Sequence, residues 1–382
     1  MFTVYINWFL FPGSIFLNAG SYALLVTNLP LAELFPNATA LIVIAGQMVF
    51  QASSSIPRLW AVVYESGVDL KYIILFNLAM TLVIWLRSFF LMPLTWVDPG
   101  KGSLNFLNDH VLNRLVNPGK DIAPFYNSPF HRGTMNPFGD ARAKAKAKQE
   151  SESKGSSQSV VQYVWTPEFI LLMIWASFGN MDITFISFNW NKFARIVSGD
   201  DDYLELVDLF GGYLWTAAVF SGLCAVLIDG LSKKCFANRS LMEGKSIIII
   251  LVIVFDNIAG IVVHILQLLN TYESAYALIF LYNLYRGLFY SAVAVYIKCN
   301  FPVDCFGTLI GVTYIAMGIF SLLNIGLTEV LTTYDVDGFN GIAIASGVVL
   351  LLTMPFPILA MYNKRSKIPE KENNDKEEVQ EL

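Results

Sequence analysis

The sequence predicts an all-α, polytopic membrane protein, and three observations carry that prediction. Of 382 residues, 55% are hydrophobic and only 14% are charged, where a soluble domain carries about a quarter charged. The charges are also segregated: 15 of the 55 Asp, Glu, Lys and Arg fall in 93–163 and 11 in the last 20 residues, leaving 29 among the other 291 positions. Between them lie nine apolar runs, each long enough to cross a bilayer core, which takes roughly 20 residues of helix. Lipid offers no partner to a free backbone group, so such runs must be helical. None alternates apolar and polar residues as an outer-membrane barrel strand does. This composition excludes a soluble enzyme, a disordered scaffold and a nucleic-acid partner, since a net charge of −5 offers no basic patch to a phosphate backbone. The partners expected are the lipid bilayer and a small-molecule solute.

The runs are 4–32, 39–64, 72–92, 165–188, 206–228, 246–268, 276–297, 307–331 and 341–362. The first has no charge before Glu33 and lacks the basic leader and small-residue cleavage site of a signal peptide. The stretches Ser246 to Phe255 and Gly341 to Leu352 are almost unbroken apolar sequence. Residues 93–163 form the one large polar insert. Its second half, Ala141 to Gln158, is too polar and low in complexity to order itself. In its first half Leu104, Leu107, Val111 and Leu115 have the spacing of a short amphipathic helix on the membrane surface. The acidic end from Glu370 reads as a solvated tail. The expected organisation is a three-helix bundle in 1–92, a cytoplasmic linker in 93–163, a six-helix bundle in 164–362 and a tail in 363–382.

Orientation follows from Lys and Arg, which concentrate in cytoplasmic loops. Nine lie between Lys101 and Lys154, four more are Lys233, Lys234, Arg239 and Lys245, then come Lys298, Lys364, Arg365 and Lys367. The alternate loops hold only Lys71, Lys192 and Arg195. The C-terminus is therefore expected in the cytoplasm and, with nine spans, the N-terminus outside. Cys224, Cys235, Cys299 and Cys305 fall in spans or on the cytoplasmic face, where neither a disulfide framework nor a metal-ligand spacing is expected, and no cofactor is implied. The spans hold no Ser/His or metal set that would make an enzyme.

The insert leaves three helices before it and six after. Many secondary transporters consist of two six-helix halves, each made of two three-helix units, so six is one half and three is half of the other. Several stretches then resemble solute carrier family 43 of the major facilitator superfamily. They are Thr27-Asn28-Leu29 with Leu34-Phe35, the run Ser53-Ser54-Ser55 with Tyr64-Glu65-Ser66-Gly67, Arg87 to Pro93, and Ser198-Gly199-Asp200. The most specific runs from Arg286-Gly287 through Ser291-Ala292-Val293 and Phe301-Pro302 to Phe306-Gly307-Thr308-Leu309-Ile310-Gly311. The resemblance spans nearly the whole chain outside linker and tail, in the family's order. It implies the major facilitator fold with helices four to twelve of twelve and the first three absent, and placement in a plasma membrane. The family contains facilitative large-neutral-amino-acid transporters and an equilibrative nucleobase transporter.

Ionisable groups inside spans are costly and mark functional candidates by default. Arg286 is too deep in its span to snorkel and is expected to meet a substrate carboxylate or a gating partner. Asp182, beside Asn180, is expected to pair with Arg286 or to contact an amino group; the family would place a basic residue near this point. With Gly20, Asn28 and Ser291 these make the expected substrate-binding set. Asp256 is expected at a helix contact with a paired carboxylate, or with His264 in a proton relay. Arg58 is expected to snorkel or to meet a carboxylate. Asp229 followed by Lys233 and Lys234 resembles a facilitator loop signature that clasps helix ends. Gly211-Gly212, Gly287 and Gly307 suit close helix approach.

The function expected is facilitative transport by alternating access, with neutral amino acids as solute and purine nucleobases as the alternative. A reading of another class is a truncated membrane protein that keeps the family's shape without transporting. The orientation is directly testable. The sequons Asn37-Ala38-Thr39 and Asn238-Arg239-Ser240 face the cytoplasm in this topology, so glycosidase treatment of protein from eukaryotic cells is expected to leave its gel mobility unchanged.

Overall fold

The computed structural model describes residues 39–90, 160–235, 241–302 and 305–360. The first predicted run, the linker and the tail lie outside them. Among the described residues every regular element is helical. The helices are α1 (Thr39–Ala52), a 3-10 turn (Ser53–Ser55), α2 (Ile56–Glu65), α3 (Leu70–Phe90), α4 (Val160–Val164) and α5 (Pro167–Tyr213). Then follow α6 (Thr216–Cys235), α7 (Leu241–Leu269), α8 (Tyr272–Asn300), α9 (Phe306–Ser321) and α10 (Leu323–Thr353).

Six helical stretches are long and apolar enough to span a membrane: Ala40–Glu65, Pro167–Gly199, Asp202–Ser232, Gly244–Leu269, Tyr272–Asn300 and Phe306–Ala360. The last is 55 residues long, about 80 Å of helix at 1.5 Å per residue, more than twice the bilayer core. Asp335, with φ 48°, breaks it, so its two parts account for the eighth and ninth predicted runs. Leu70–Ile84 is a shorter apolar stretch within the third. The chain is thus an all-α, multi-pass membrane protein.

Local sequence sets the helix ends. Thr166 caps α5 by accepting from the Phe169 amide, Pro167 follows at the first turn, and Glu168 adds an acid there; these are the three usual signals of a helix start. Thr271 and Ser274 form a reciprocal capping box at the start of α8. Gly199 interrupts α5 with φ 75°, a left-handed conformation that suits a residue without Cβ. It lies between the predicted fourth and fifth runs.

The chain divides into two compact units, one of residues up to Arg58 with Val160 onward, the other Leu59–Ser159. In the second, α3 presents Leu75, Leu78, Leu82 and Val83 outward, as suits lipid, and the Trp60 and Phe76 rings meet edge to face at 5.4 Å. In the first unit α8 is the most enclosed span, 83% buried over its apolar window against 67% or less elsewhere. Helices α1, α5, α6, α7 and α9 all contact it.

Small residues let those helices approach. A Cβ on Gly287 would stand 2.5 Å from the Ala217 carbonyl oxygen of α6, and one on Gly179 would strike the Phe289 ring at 2.4 Å. Gly260 touches Leu350 and Tyr285 in the same way. Of the glycines expected to serve close approach, Gly287 does so; Gly212 and Gly307 face open space, and Gly211 meets only the Arg58 side chain. Because its obstacle is backbone, Gly287→Ala is expected to destabilise by about 2 kcal/mol through overpacking. Gly307→Ala carries no such obstacle, so only the Gly287 variant should show a lowered melting temperature in detergent.

Candidate solute site

α1 carries a polar stripe. Gln47, Phe50, Gln51 and Ser54 stand at i, i+3, i+4 and i+7, one face of the continuing helix. The Gln47 amide donates to the Tyr314 hydroxyl at 2.8 Å, and the Gln51 amide to the Ser221 hydroxyl at 2.8 Å. Ser221 in turn donates to the Gly287 carbonyl at 2.8 Å, so the close approach of α6 to α8 is also hydrogen-bonded. Phe50 meets Tyr290 edge to face at 6.4 Å.

Arg286 is the centre of this cluster. It is residue 15 of the 29 in α8, and 9% of its surface is exposed. Its Nη2 donates to the Ser54 Oγ at 3.0 Å, while that hydroxyl donates to the Gln51 carbonyl at 2.5 Å. Among the described residues no carboxylate lies within ion-pair distance of the guanidinium. A guanidinium offers five donors, and one hydroxyl leaves most of that capacity for another acceptor.

Asn180 borders the same cluster. It accepts from the Tyr290 hydroxyl and donates to the Ser321 hydroxyl, both at 2.8 Å. Ser291 is fully buried and donates to the Gly287 carbonyl one turn back on its own helix. Gly20 and Asn28 lie outside the described residues.

The expected pairing of Asp182 with Arg286 is not formed. Asp182 Oδ2 faces His264 Nε2 at 3.1 Å, and His264 Nδ1 faces Gln267 Oε1 at 2.7 Å. The reason is helix geometry: Asp182 shares the α5 face of Phe178 and Met181, toward α10, whereas Asn180 points to α8 and α9. Asp182 lines a cavity of about 370 Å³ with Tyr334, Asp337 and Gly338, and Arg286 is not part of its wall.

Among the remaining candidates, Asp256 is fully buried on α7, and among the described residues neither oxygen has a hydrogen-bond partner; the expected relay contact with His264 is not formed, since His264 faces Asp182 and Gln267. Next to Asp256, Asn257 accepts from Trp175 Nε1 at 2.7 Å. Arg58 meets Asp208 at 2.9 Å. Asp229 does clasp helix ends, with a different basic residue: its Oδ1 lies 2.8 Å from the Nζ of Lys245, whose side chain is fully buried. Its Oδ2 accepts from the Leu41 amide in the first turn of α1 at 3.1 Å, a favourable place for an anion. Lys234 is exposed, and the Lys233 side chain is outside the described set.

Sequence reasoning from charge alone missed Gln47, Gln51, Ser54, Tyr290, Tyr314 and Lys245. The spacing of Gln47, Gln51 and Ser54 was a usable signal, since uncharged polar groups on a membrane helix also seek partners. For the clasp, Lys245→Met removes the counter-charge of a largely buried carboxylate and is expected to cost about 3 kcal/mol. Adding Asp229→Asn, which keeps an acceptor for the Leu41 amide, should recover most of the melting temperature.

No family model matches the chain, and no curated protein does. Among solved structures it is similar to the crystal structure of a bacterial homologue of the iron transporter ferroportin in an outward-facing state. The identity is 13%, covering 91% of this chain and 89% of that one, with a TM-score of 0.42. A likeness at that level says nothing about what this chain carries.

Proposed function

We propose that the chain is a facilitative transporter of neutral amino acids working by alternating access, with Arg286 holding the solute carboxylate. One observation carries this reading: a guanidinium lies mid-span and nine-tenths buried, and among the described residues its one hydrogen bond is to a hydroxyl. An arginine at that depth costs about 2.5–3.5 kcal/mol on insertion scales. A purely structural arginine would be expected to offset that cost with a carboxylate; among the described residues Arg286 has none, and its planar fork has the geometry that matches a carboxylate in two parallel hydrogen bonds. Asn180, Tyr290 and Gln51 supply neutral polar groups around it, and Phe50 an apolar wall.

The finer features of this reading rest on the sequence. The ordered resemblance to solute carrier family 43 supports a major facilitator architecture, with bundles in 1–92 and 164–362 joined by a cytoplasmic linker. The distribution of basic residues supports a cytoplasmic C-terminus. Gly20 and Asn28 belong to the proposed site through the resemblance alone, and Asp256, Arg58 and the Asp229 clasp are assigned to holding or gating the helices.

Purified protein in liposomes is expected to take up labelled leucine saturably and labelled adenine poorly. Arg286→Gln should lower leucine uptake at least about tenfold, the scale of one charge-assisted hydrogen bond, while Arg286→Lys should recover only part, because a point charge cannot make the bidentate contact. Uptake of adenine alone would replace the amino acid by a nucleobase, and uptake of neither would refute transport.

A further inference from the structure

We propose that Asp182 and His264 form a proton-binding site, separate from Arg286, through which protons move together with the solute. The proposal rests on the transport reading above, keeps its solute and its alternating access, and replaces the facilitative step by one coupled to a proton. Its basis is a buried acid on the wall of a cavity, Asp182, in contact with a buried base, His264. Asp182 and His264 are each 3% exposed. Both ring nitrogens of His264 face an oxygen, Nε2 toward Asp182 and Nδ1 toward Gln267. A neutral imidazole has one donor and one acceptor, whereas the imidazolium donates from both nitrogens. Two oxygen neighbours are therefore matched by the protonated ring.

The charge balance gives the site its mechanism. With the proton bound, the pair is carboxylate and imidazolium, with no net charge. When the proton leaves His264 Nε2 for water, the pair becomes carboxylate and neutral imidazole, one net negative charge in the interior. An uncompensated buried charge is strongly disfavoured, so the loaded protein closes over its sites more readily than the empty one. A solute that enters with the loaded form then travels with the proton, in the same direction. The cavity beside Asp182 has room for several waters, and its otherwise largely apolar wall carries Asp182 and Asp337, so a proton leaving the pair would pass through water held there.

The other titratable groups around the pair are few. From α8 the Tyr285 ring packs on Gly260 of α7, midway between Asp256 and His264. Its hydroxyl interacts electrostatically with both Asp182 and Asp256. Tyr282 and Arg286 are the next groups on that helix, and Arg286 is turned to Ser54. On α6, Cys224 lies near Asp256. From α10, a Cβ on Gly347 would stand 3.7 Å from the His264 side chain, so this face brings no charge, and Tyr334 and Asp337 line the cavity. No other cation faces Asp182 within ion-pair distance among the described residues, so His264 is its counter-charge.

The test uses the full chain in liposomes with labelled leucine and a trapped pH-sensitive dye. Leucine exchange at equal pH on both sides reports on the transport reading by itself. With that exchange present, an acid-outside gradient is expected to accelerate leucine entry several-fold and to give leucine-dependent acidification inside. In His264→Gln the ratio of gradient-driven to equal-pH uptake should fall to one. Exchange that is indifferent to the gradient, or slowed by it, overturns the proton proposal and leaves the transport reading intact. If exchange is absent, the transport reading fails, and the proton site is judged from the ring itself. The chain has three histidines, His110, His131 and His264, so nitrogen-15 histidine spectra can be assigned with the His264→Gln variant. Wild type is expected to show His264 protonated on both nitrogens at neutral pH, and Asp182→Asn to lose that signature. A neutral His264 ring in wild type overturns the proposal.

Discussion

Most polar side chains on the helix Tyr272–Asn300 are buried, and they must look for partners inside the protein because lipid offers no hydrogen bonds. That requirement organises its neighbours. Tyr282 donates to the Ile183 carbonyl, Tyr290 reaches Asn180, Arg286 reaches Ser54, and Tyr296 reaches Glu168 at 2.6 Å. The backbone takes part as well: the Gly287 carbonyl accepts from Ser221 of the neighbouring helix and from Ser291 of its own. The close approach at Gly287 makes such contacts possible, since hydroxyl groups reach a neighbouring carbonyl only when the two backbones nearly touch.

The ionisable groups within this frame fall into three physical situations. Arg58 with Asp208 is a half-exposed ion pair, the kind that contributes about 0–1 kcal/mol. Asp229 with Lys245 is buried and also caps a helix, so it ties the start of the Thr39–Ala52 helix to two others. Arg286, Asp182 with His264, and Asp256 are deep; among the described residues Asp256 has no hydrogen-bond partner, one Asp182 oxygen has none, and Arg286 has no carboxylate.

The helices were legible in the sequence because a 20-residue apolar run has few alternative structures. Their breaks were legible too: Gly199 and Asp335 fall between predicted runs. Which charges meet was not legible. Asp182 was expected to pair with Arg286 or to contact an amino group, yet it faces His264 while Arg286 faces Ser54. Two residues in sequence, from Asn180 to Asp182, rotate a side chain by about 200° around a helix, enough to turn it from one neighbour to another. Lys233 and Lys234 are near Asp229 in sequence, but its ion pair is with Lys245, because the contact is set by where the next helix begins.

The three serines at 53–55 carry a geometric consequence. A 3-10 turn advances about 2.0 Å and 120° per residue, an α-helix 1.5 Å and 100°. Rewinding three residues from the first form to the second shortens the helix by about 1.5 Å and rotates everything beyond it by about 60°. Ser54, inside this segment, holds Arg286, and Arg58, just beyond it, holds Asp208. A single local change of winding would therefore act as a screw, shifting one grip along the axis while swinging the other about it.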